Sequence, residues 1–347
     1  MLRLRNELYS IIISGEIMII TRTPFRISFV GGGSDLPSFY EKHEGCVIST
    51  SINKYMYISV HPTFNREETI IKYSKTETVK DINDIQHPIA KRLLLDHDLS
   101  GLEIVSTADI PSGTGLSTSS AYTVGLIHAL YAYQGKYCSQ ERIAKEACEL
   151  EIEKLGEPIG KQDQYGTAIG GLKFIRFLQD GSVDVEPLVI DRNVKEALDE
   201  NLLLFYTGLT HSASKILEEQ NKNIVSADDK FNNLVKMTEL TYQMKDALTS
   251  GDLNAFGRIL NENWLLKQKM ASSISNETIQ KYYDIAIENG ALGGKLLGAG
   301  GGGFLLFYCE KDKQEQLRKA LSDLVELPFE MENSGTKIIY VGNKDWD

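Results

Sequence analysis

The feature that most constrains this chain is a loop of glycine and hydroxyl residues at 111–120, which lies between a predicted strand and a predicted helix. Apolar and polar residues alternate over 102–108, as in a half-buried strand, and apolar residues recur at helical spacing over 124–131. The first N–H groups of a helix have no partners within the helix and attract an anion. The loop therefore predicts a phosphate-binding site at the start of a helix.

A plain helix cap is the simpler interpretation of the same loop. One serine or threonine would suffice for a cap, whereas hydroxyl residues stand in an unbroken row from Ser117 to Ser120. Gly113 and Gly115 also allow the backbone to approach a bulky group closely. No Gly-Lys-Ser or Gly-Lys-Thr ends the loop, so it is not a P-loop of the Walker A type. These residues favour phosphate binding by a loop of another kind.

Length and charge limit the kinds of protein that the chain encodes. At 347 residues it is long enough for two medium-sized domains. Its hydrophobic content of 42% is ordinary for a globular protein, and no apolar run is long enough to cross a bilayer. A net charge of −11 argues against nucleic acid or an anionic membrane as a partner, since both need a cationic surface. A homodimer stays open as an alternative to a monomer.

Cysteine usage and the N-terminus indicate the compartment. The cysteines form no C-x-x-C pair and no zinc-site spacing, which indicates reduced thiols in a cytoplasmic protein and no transition metal. They are Cys46, Cys138, Cys148 and Cys309. The apolar run near the N-terminus is too short for a signal peptide. A clean strand begins at Met18, so we interpret residues 1–17 as an extension that need not belong to the native protein.

A triple-glycine loop follows the first predicted strands. Residues 18–24 predict an edge strand that ends at Pro24, and residues 25–30 predict a second strand. The sequence Gly-Gly-Gly-Ser-Asp at 31–35 then weakens regular structure and permits close backbone approach. Taken alone, this segment would be a tight surface loop.

Two later segments also combine glycine with chemically active neighbours. Asp163 stands in a Gly-x-x-Asp-x-x-Gly frame at 160–166, between two predicted elements. Residues 298–303 read Gly-Ala-Gly-Gly-Gly-Gly and precede a predicted strand at 304–308. A flexible hinge would contain serine and polar residues instead. So many glycines cost conformational entropy, and a ligand or a close backbone contact would justify them.

Together these segments resemble the motifs of the GHMP small-molecule kinases, the superfamily of galactokinase, homoserine kinase, mevalonate kinase and phosphomevalonate kinase. Residues 111–121 are similar to the second motif, Pro-x-x-x-Gly-Leu-(Gly/Ser)-Ser-Ser-Ala, with Thr118 at the first serine position. Residues 23–35 are similar to the first motif. Residues 295–302 match the third motif, Lys-Leu-x-Gly-Ala-Gly-Gly-Gly.

The resemblance and the pattern of elements imply the architecture. Strand and helix signals mingle in the first half of the chain, so we expect an α+β fold. The resemblance implies the two-domain GHMP fold with its active site in the cleft between domains. We place an N-terminal ATP-binding domain at 18–199 and a C-terminal domain at 200–347.

The loop at 111–120, which we call the cradle, is implied to bind ATP. The resemblance implies Mg²⁺ bound between Ser119 and Glu153, with Glu151 as the alternative because one gap in the alignment exchanges the two glutamates. The residues implied to contact the nucleotide are Pro111, Gly113, Thr114, Gly115, Leu116, Ser117, Thr118, Ser119 and Ser120.

Catalytic and sugar-binding residues are carried over from the first and third motifs and from the Asp163 frame. Asp163 falls on the family's catalytic aspartate, which would accept the proton of the attacking hydroxyl. Arg26 would steady Asp163 or the transferring group. The residues implied to bind the sugar are Gly32, Gly33, Ser34, Asp35, Gly300, Gly301 and Gly302.

The triple-glycine loop suggests the subfamily. Galactokinases carry Glu-His where this chain has Gly32 and Gly33, and the loss of both side chains enlarges the acceptor pocket. The loop is similar to that of the bacterial D-glycero-D-manno-heptose 7-phosphate 1-kinases, which act in nucleotide-activated heptose biosynthesis. The resemblance therefore implies that the substrate is a sugar phosphate, a heptose 7-phosphate. The enzyme would phosphorylate its anomeric hydroxyl.

Three alternatives to a heptose kinase stay open. A fucokinase-like or other sugar 1-kinase could carry a similar loop, and a substrate panel would distinguish it. The same fold serves decarboxylation of mevalonate diphosphate, whose acceptor does not suit a triple-glycine sugar loop. A non-catalytic module that binds sugar and ATP could dispense with the base, so Asp163 and Glu153 together favour an enzyme.

Overall fold

A computed structural model of the chain describes residues 17–210 and 213–342. Residues 1–16 of the segment that we interpreted as an extension lie outside this described part. Ile17, the last residue of that segment, is 3% exposed and belongs to the main hydrophobic core. The described fold therefore begins one residue earlier than we expected.

The strands form two sheets. In the described residues they are β1 Met18–Val30, β2 Gly45–Pro62, β3 Thr69–Lys72, β4 Thr76–Val79, β5 Leu102–Ala108, β6 Leu172–Phe177, β7 Val183–Pro187, β8 Leu202–Tyr206, β9 Ala291–Leu296, β10 Phe304–Cys309, β11 Val325–Glu326, β12 Met331–Glu332 and β13 Lys337–Gly342. The larger sheet has the order β13-β1-β2-β5-β3-β4, with β6 and β12 paired to β2 and β7 paired to β6. The smaller sheet has the order β11-β8-β10-β9.

The first strand differs from the sequence prediction. We predicted an edge strand that ends at Pro24 and a second strand after it, but β1 runs through Pro24 without a break and lies between β13 and β2. Its register with β2 shifts between Pro24 and Phe25, and its pairing with β13 stops at Arg22. Proline is tolerated at such irregular positions because no regular ladder hydrogen bond is lost there.

Helices cover both sheets. They are α1 Pro37–Tyr40, α2 Pro88–His97, α3 Thr118–Tyr133, α4 Gln140–Cys148, α5 Gln162–Ala168, α6 Arg192–Asn201, α7 Ala213–Ser226, α8 Asp228–Ser250, α9 Leu253–Lys267, α10 Glu277–Glu288 and α11 Gln314–Ala320. A short 3₁₀-helix spans Ile82–Asp84, and a π-helix at Glu149–Lys154 continues α4. None of the helices in the described ranges is both long and apolar enough to cross a membrane.

Helix α3 holds the cradle against the larger sheet. Most of its side chains are buried, as its run of alanine, valine, leucine and isoleucine predicts. Gly125 faces the sheet, where an added Cβ would lie 3.0 Å from the Thr23 hydroxyl. The Thr21 hydroxyl donates a hydrogen bond of 2.9 Å to the Gly125 carbonyl. This close packing fixes the N-terminus of α3 relative to β1.

Close packing of glycines also fixes α9 on the smaller sheet. An added Cβ on Gly293 in β9 would lie 1.9 Å from the Gly257 carbonyl oxygen in α9. Only glycine permits that approach. The contact holds together the two elements that carry Lys267, at the end of α9, and Lys295, in β9.

The chain does not divide cleanly between the two sheets. Strands β12 and β13, near the C-terminus, return to the larger sheet and pair with β2 and β1. The main hydrophobic core includes Leu240 and Phe256 from the second half of the chain. A division at residue 200 therefore separates most of the elements of the two sheets but not the last strands. Elements from both halves line the cavity described below.

Candidate active site

A cavity of about 780 Å³ lies where the two halves of the chain meet. Residues from the larger sheet and its helices form most of its wall, and α7, the end of α9 and β9 supply the rest. The cavity is large enough for a substrate of the size of a nucleotide or a sugar.

The cradle forms one side of the cavity, although not all of its residues reach the wall. The cradle residues that line the cavity are Pro111, Ser112, Gly113, Gly115, Ser117, Thr118, Ser119 and Ser120. Thr114 and Leu116 are fully buried, and the Thr114 hydroxyl donates to the Pro111 carbonyl at 2.9 Å. These two residues hold the loop in shape, and their side chains do not line the cavity.

The backbone of the cradle is held in an uncommon conformation. Gly113 and Gly115 have φ angles of 75° and 84°, and Ser117, directly before α3, has φ 65°. A non-glycine residue in the left-handed region costs free energy and is typical of functional loops. The hydroxyls of Ser117 and Thr118 are buried without a hydrogen-bond partner in the described structure. Unpartnered donors at a helix N-terminus, on the cavity wall, fit a bound phosphate.

The third glycine segment packs on the cradle. An added Cβ on Gly298 would lie 2.5 Å from the Gly115 Cα, and one on Gly303 would lie 2.3 Å from the Thr114 carbonyl oxygen. Gly298 and Ala299 line the cavity, whereas Gly300, Gly301 and Gly302, which we expected to bind sugar, are not part of its wall. Gly298 and Gly303 thus pack on the cradle, Gly300 packs on Ile274, and sugar binding by Gly300, Gly301 and Gly302 stays a prediction of the resemblance.

The carboxylate beside the cradle is Glu151. Its side chain is 1% exposed and accepts hydrogen bonds from Ser120 at 2.9 Å and from Ser119 at 3.4 Å. Thr123 and Gln164 also donate to it, at 2.9 and 2.5 Å. Burial raises the pKa of Glu151 to about 7, although these donors oppose the rise.

Glu153, our first choice as metal ligand, is exposed to solvent. The assignment is therefore corrected to the alternative, Glu151. Residues two apart on a helix point in nearly opposite directions, so only one of the two glutamates can face the cradle. Glu151 continues the buried face of α4, because it follows the buried residues Ala144, Ala147 and Cys148 at intervals of seven, four and three residues. That phase is the sequence signal that identifies it.

Arg26 and Asp163 form an ion pair between the cradle and the triple-glycine loop. The Arg26 Nη2 and Nε donate to Asp163 Oδ1 at 2.6 and 3.0 Å, and Nη1 donates to the Gly115 carbonyl at 3.1 Å. The arginine is 3% exposed, whereas the Asp163 side chain is 30% exposed and lies on the cavity wall. One face of the carboxylate is thus held by the protein and another faces the cavity.

The triple-glycine loop lies at the other side of the cavity, where Gly32, Gly33 and Asp35 line the wall. Ser34, which we expected to bind sugar, instead exchanges two hydrogen bonds of 3.0 Å with the backbone of Cys46. Asp35 accepts from the Gly33 N–H and the Gln162 side-chain amide, both at 2.9 Å. Burial, with a smaller contribution from Asp163, raises the pKa of Asp35.

Two buried lysines on this side were not assigned a role from the sequence. Lys267 donates to the Gly32 carbonyl at 3.1 Å and to Gln220 Oε1 at 2.8 Å, and burial lowers its pKa to about 8. Lys295 donates to the Ser28 carbonyl at 2.8 Å. Burial, followed by Lys267 and Arg26, lowers the pKa of Lys295 to about 7. Lys267 had a sequence signal, since it lies in helical phase with the buried Leu260, Asn263 and Trp264.

Aromatic and apolar side chains form the far end of the cavity, beyond the cradle. The His87 ring lies 4.7 Å from the ring of Tyr73 and 4.7 Å from that of Tyr122. Met56 and Ile110 line the same cavity. This end suits a flat, partly apolar group such as a nucleobase.

The cradle and Glu151 present oxygen atoms of the kind that bind magnesium. Mg²⁺ takes oxygen ligands and often binds through one or two carboxylates together with substrate phosphates and water. Ser119 and Glu151 supply a hydroxyl and a carboxylate on the wall of the cavity. In the described ranges no group of three or more His, Cys, Asp or Glu could hold a metal ion by itself. The residues therefore fit a magnesium ion that shares its ligands with a phosphate.

Known proteins are similar to this chain over nearly its whole length. The family model for the N-terminal domain of GHMP kinases matches residues 83–171, and the model for the GHMP kinase C-terminal region matches residues 244–327. D-glycero-alpha-D-manno-heptose 7-phosphate kinase from Campylobacter jejuni is 31% identical over 87% of this chain and 93% of its own length.

Two further relatives extend the comparison. A bifunctional fucokinase/GDP-fucose pyrophosphorylase from Arabidopsis thaliana is 28% identical over 89% of this chain and 32% of its own length. The crystal structure of a D-glycero-D-manno-heptose 1-phosphate kinase from Bacteroides thetaiotaomicron superimposes with a TM-score of 0.77 at 25% identity, covering 94% of this chain and all of that one. The two family models and the 31% identity to the Campylobacter jejuni kinase over most of both chains show that this chain belongs to the GHMP kinase family.

Proposed function

We propose that this kinase transfers the γ-phosphoryl group of ATP to the anomeric hydroxyl of a heptose 7-phosphate. The observation that carries the proposal is the position of Asp163. Its carboxylate is held by Arg26, which also contacts the cradle through the Gly115 carbonyl, and it faces the cavity between the cradle and the triple-glycine loop. A base there meets an acceptor on one side and a phosphoryl donor on the other.

The cradle is proposed to bind the phosphates of ATP. Its backbone N–H groups and the unpartnered hydroxyls of Ser117 and Thr118 would donate to the phosphate oxygens. Ser119 and Glu151 would hold Mg²⁺, which when bound neutralises charge on the phosphates during transfer. The aromatic end, with Tyr73, His87 and Tyr122, would take the base.

Asp163 is proposed to accept the proton of the sugar hydroxyl at its cavity-facing oxygen. Arg26 keeps the other side of the carboxylate in place through two N–H groups, which orients the base. Phosphoryl transfer depends on positioning and on charge stabilisation more than on covalent chemistry. The buried cation Arg26 adds positive charge beside the reacting groups.

The side of the cavity opposite the cradle is proposed to bind the sugar. We call it the acceptor end and define it by Gly32, Gly33, Asp35 and Lys267. Asp35 can accept hydrogen bonds from sugar hydroxyls, and the two glycines leave room for a seven-carbon chain. The names of two relatives, a heptose 7-phosphate kinase and a heptose 1-phosphate kinase, support a heptose phosphate.

A fucokinase-like activity is the second candidate. It is favoured by the similarity to the bifunctional fucokinase of Arabidopsis thaliana over 89% of this chain. Fucose carries no phosphate, so the two candidates differ in whether the acceptor end must bind an anion.

The cytoplasmic location stays a prediction of the sequence, and a homodimer stays open as an alternative to a monomer.

The test is a substrate panel with ADP release as the readout. The panel contains D-glycero-D-manno-heptose 7-phosphate, the corresponding 1-phosphate, the unphosphorylated heptose and L-fucose, each with Mg²⁺ and ATP. We expect fastest turnover with the 7-phosphate, and phosphorus NMR of the product should show the 1,7-bisphosphate. Preferred turnover of fucose would replace the proposal with the second candidate. Preferred turnover of the 1-phosphate would mean that the enzyme phosphorylates a hydroxyl other than the anomeric one.

A further inference from the structure

The acceptor end contains a buried ammonium group that forms no salt bridge in the described residues, although the nearby Asp35 carboxylate favours its charged form. Lys267 is 6% exposed and lies at the C-terminal end of α9, on the cavity wall. Its Nζ donates to the Gly32 carbonyl and to Gln220 Oε1. An ammonium has three N–H donors, so one donor is left for a ligand.

Gln220 provides a second donor next to Lys267, directly behind the cavity wall rather than on it. Its side chain is fully buried, and its Nε2 has no hydrogen-bond partner in the described structure. Because Oε1 accepts from Lys267, the amide orientation is fixed and Nε2 remains a donor. An added Cβ on Gly33 would lie 2.1 Å from Gln220 Nε2 and 3.2 Å from Lys267 Nζ. The two donors therefore converge beside Gly33.

A buried cation with an unused donor and a buried amide N–H without an acceptor are both unfavourable. Another buried lysine of this protein shows the usual solution. Lys173 donates to the carbonyls of Gly171 and Gly166 at 2.9 and 3.2 Å and approaches the Ser51 hydroxyl at 3.4 Å, and it is not part of the cavity wall. Lys267 and Gln220 lack such complete partners, so the acceptor end is complementary to an anion.

The anion must belong to the acceptor. The phosphates of the donor are assigned to the cradle, which is formed by other elements. Asp35, the acidic neighbour of Lys267, already accepts from the Gly33 N–H and from the Gln162 side chain and backbone. Asp35 therefore suits sugar hydroxyls, whereas Lys267 suits a negatively charged group of the same molecule.

We propose that Lys267 and Gln220 bind the phosphate group that the acceptor sugar already carries, and so select phosphorylated over unphosphorylated sugars. This inference rests on the proposed function, because it assigns the existing phosphate of the sugar to one part of the acceptor end. Gly33 is glycine because any side chain there would collide with the Gln220 amide, which packs directly against it.

Isothermal titration calorimetry of two sugars, D-glycero-D-manno-heptose 7-phosphate and the unphosphorylated heptose, tests the proposal. The wild type should bind the 7-phosphate more tightly. Lys267→Met should weaken binding of the 7-phosphate by roughly 10- to 100-fold, as expected for loss of a charged hydrogen bond. Binding of the unphosphorylated heptose should change by less than about threefold, because no phosphate contact is lost.

Two variants keep the result interpretable. Gln220→Leu should reduce the preference for the 7-phosphate in the same direction but by a smaller factor, and it decides the matter if Lys267→Met does not fold. Lys173→Met is the matched control, because it removes a buried lysine away from the cavity and should leave the preference unchanged. Equal loss of affinity for both sugars in folded Lys267→Met or Gln220→Leu would overturn the proposal.

A separate titration distinguishes this inference from the proposed function. If the wild type binds neither heptose, the proposed substrate is wrong, and inorganic phosphate then serves as the probe. With the cradle saturated by a non-hydrolysable ATP analogue, phosphorus NMR should show phosphate binding to the wild type and at least about tenfold weaker binding to Lys267→Met. Absence of phosphate binding, or equal binding to both proteins, would refute the anion site.

Discussion

At the cradle, the cavity wall consists of main chain and hydroxyl groups from one continuous stretch, residues 111–120, with Glu151 beside it. At the acceptor end, the wall contains buried charged side chains from the loop after β1, from α9 and from β9. These three segments are far apart in the sequence. The first wall keeps its donors in place through backbone geometry. The second leaves a donor of Lys267 and the Gln220 N–H without acceptors, which is why we propose that it binds an anion.

The difference teaches how one cavity can serve a family with many acceptors. A backbone cradle binds any polyphosphate of the right shape and depends little on particular side chains. Buried charges are specific, since an unmatched partner leaves them uncompensated. Substitutions at the two ends should therefore change different kinetic constants, and the following predictions test that division.

The largest effect is expected where the two ends meet. Asp163→Asn should lower kcat by roughly 10²- to 10⁴-fold, the range for loss of a general base, while both ligands still bind. Steady-state kinetics with calorimetry measures both quantities. The matched control is Asp184→Asn, an aspartate paired with Arg176 away from the cavity, which should keep a near-normal rate. A near-normal rate for folded Asp163→Asn would show that Asp163 is not the base.

A smaller effect is expected beside the cradle. Glu151→Gln should lower kcat/KM for ATP by roughly 10- to 100-fold, because the carboxylate that contacts Ser119 is lost as a charged ligand. The KM for the sugar should change little. Glu153→Gln, two residues away and exposed, is the control and should stay within about twofold. The opposite order of the two effects would restore Glu153 as the metal ligand.

Backbone geometry of the cradle is tested by Gly115→Ala. Gly115 has φ 84°, and an added Cβ would lie 2.4 Å from the Leu297 carbonyl oxygen. We expect roughly a tenfold rise in KM for ATP and a lower Tm, with the KM for the sugar little changed. Gly156→Ala has a similar φ of 70° but meets no atom within 4 Å, so it should cost only about 1–2 kcal/mol of stability. Equal effects of the two substitutions on KM for ATP and on Tm would show that the close contact between Gly115 and Leu297 does not shape the cradle.

The smallest effect on turnover is expected for Lys173→Met, a buried lysine outside the cavity. Its effect should appear in stability and its pH dependence. Burial lowers the pKa of Lys173 to about 7, below the value near 10.4 of an unfolded chain. The unfolded state thus binds more protons between these values, so the contribution of Lys173 to the free energy of unfolding rises with pH. Urea unfolding at pH 7, 8.5 and 10 should show wild type gaining stability relative to Lys173→Met; a constant difference would contradict this.

Local patterns predicted the strand, glycine loop and helix that form the cradle end. The glycines, the hydroxyl row and the following apolar helix are consecutive in the sequence, so their geometry follows from local backbone rules. Arg26, Asp35 and Asp163 were also predicted, and the structure brings them to the same cavity. Motif spacing favoured Glu153 as the metal ligand, whereas the buried phase of α4 places Glu151, the alternative, beside the cradle.

The acceptor end was predicted only in part. Gln220 and Lys267 lie on different helices, and only packing of α7 against α9 and the triple-glycine loop brings their side chains together. Glycines 300–302 were assigned to the sugar from the third family motif. They are not part of the cavity wall, and the neighbouring Gly298 packs on Gly115 of the cradle.

The sequence by itself determined the family, and hence an ATP-dependent sugar kinase, because the family motifs are read from residue type and spacing; the assignments of phosphate loop, base and arginine follow from that resemblance and stay predictions. Tertiary structure decided which carboxylate faces the cradle, which glycines serve packing, and which buried cations converge on the acceptor. Those features depend on the phase of helices and on contacts between distant segments, where the free energy of burying a charge is set by neighbours that no local pattern specifies.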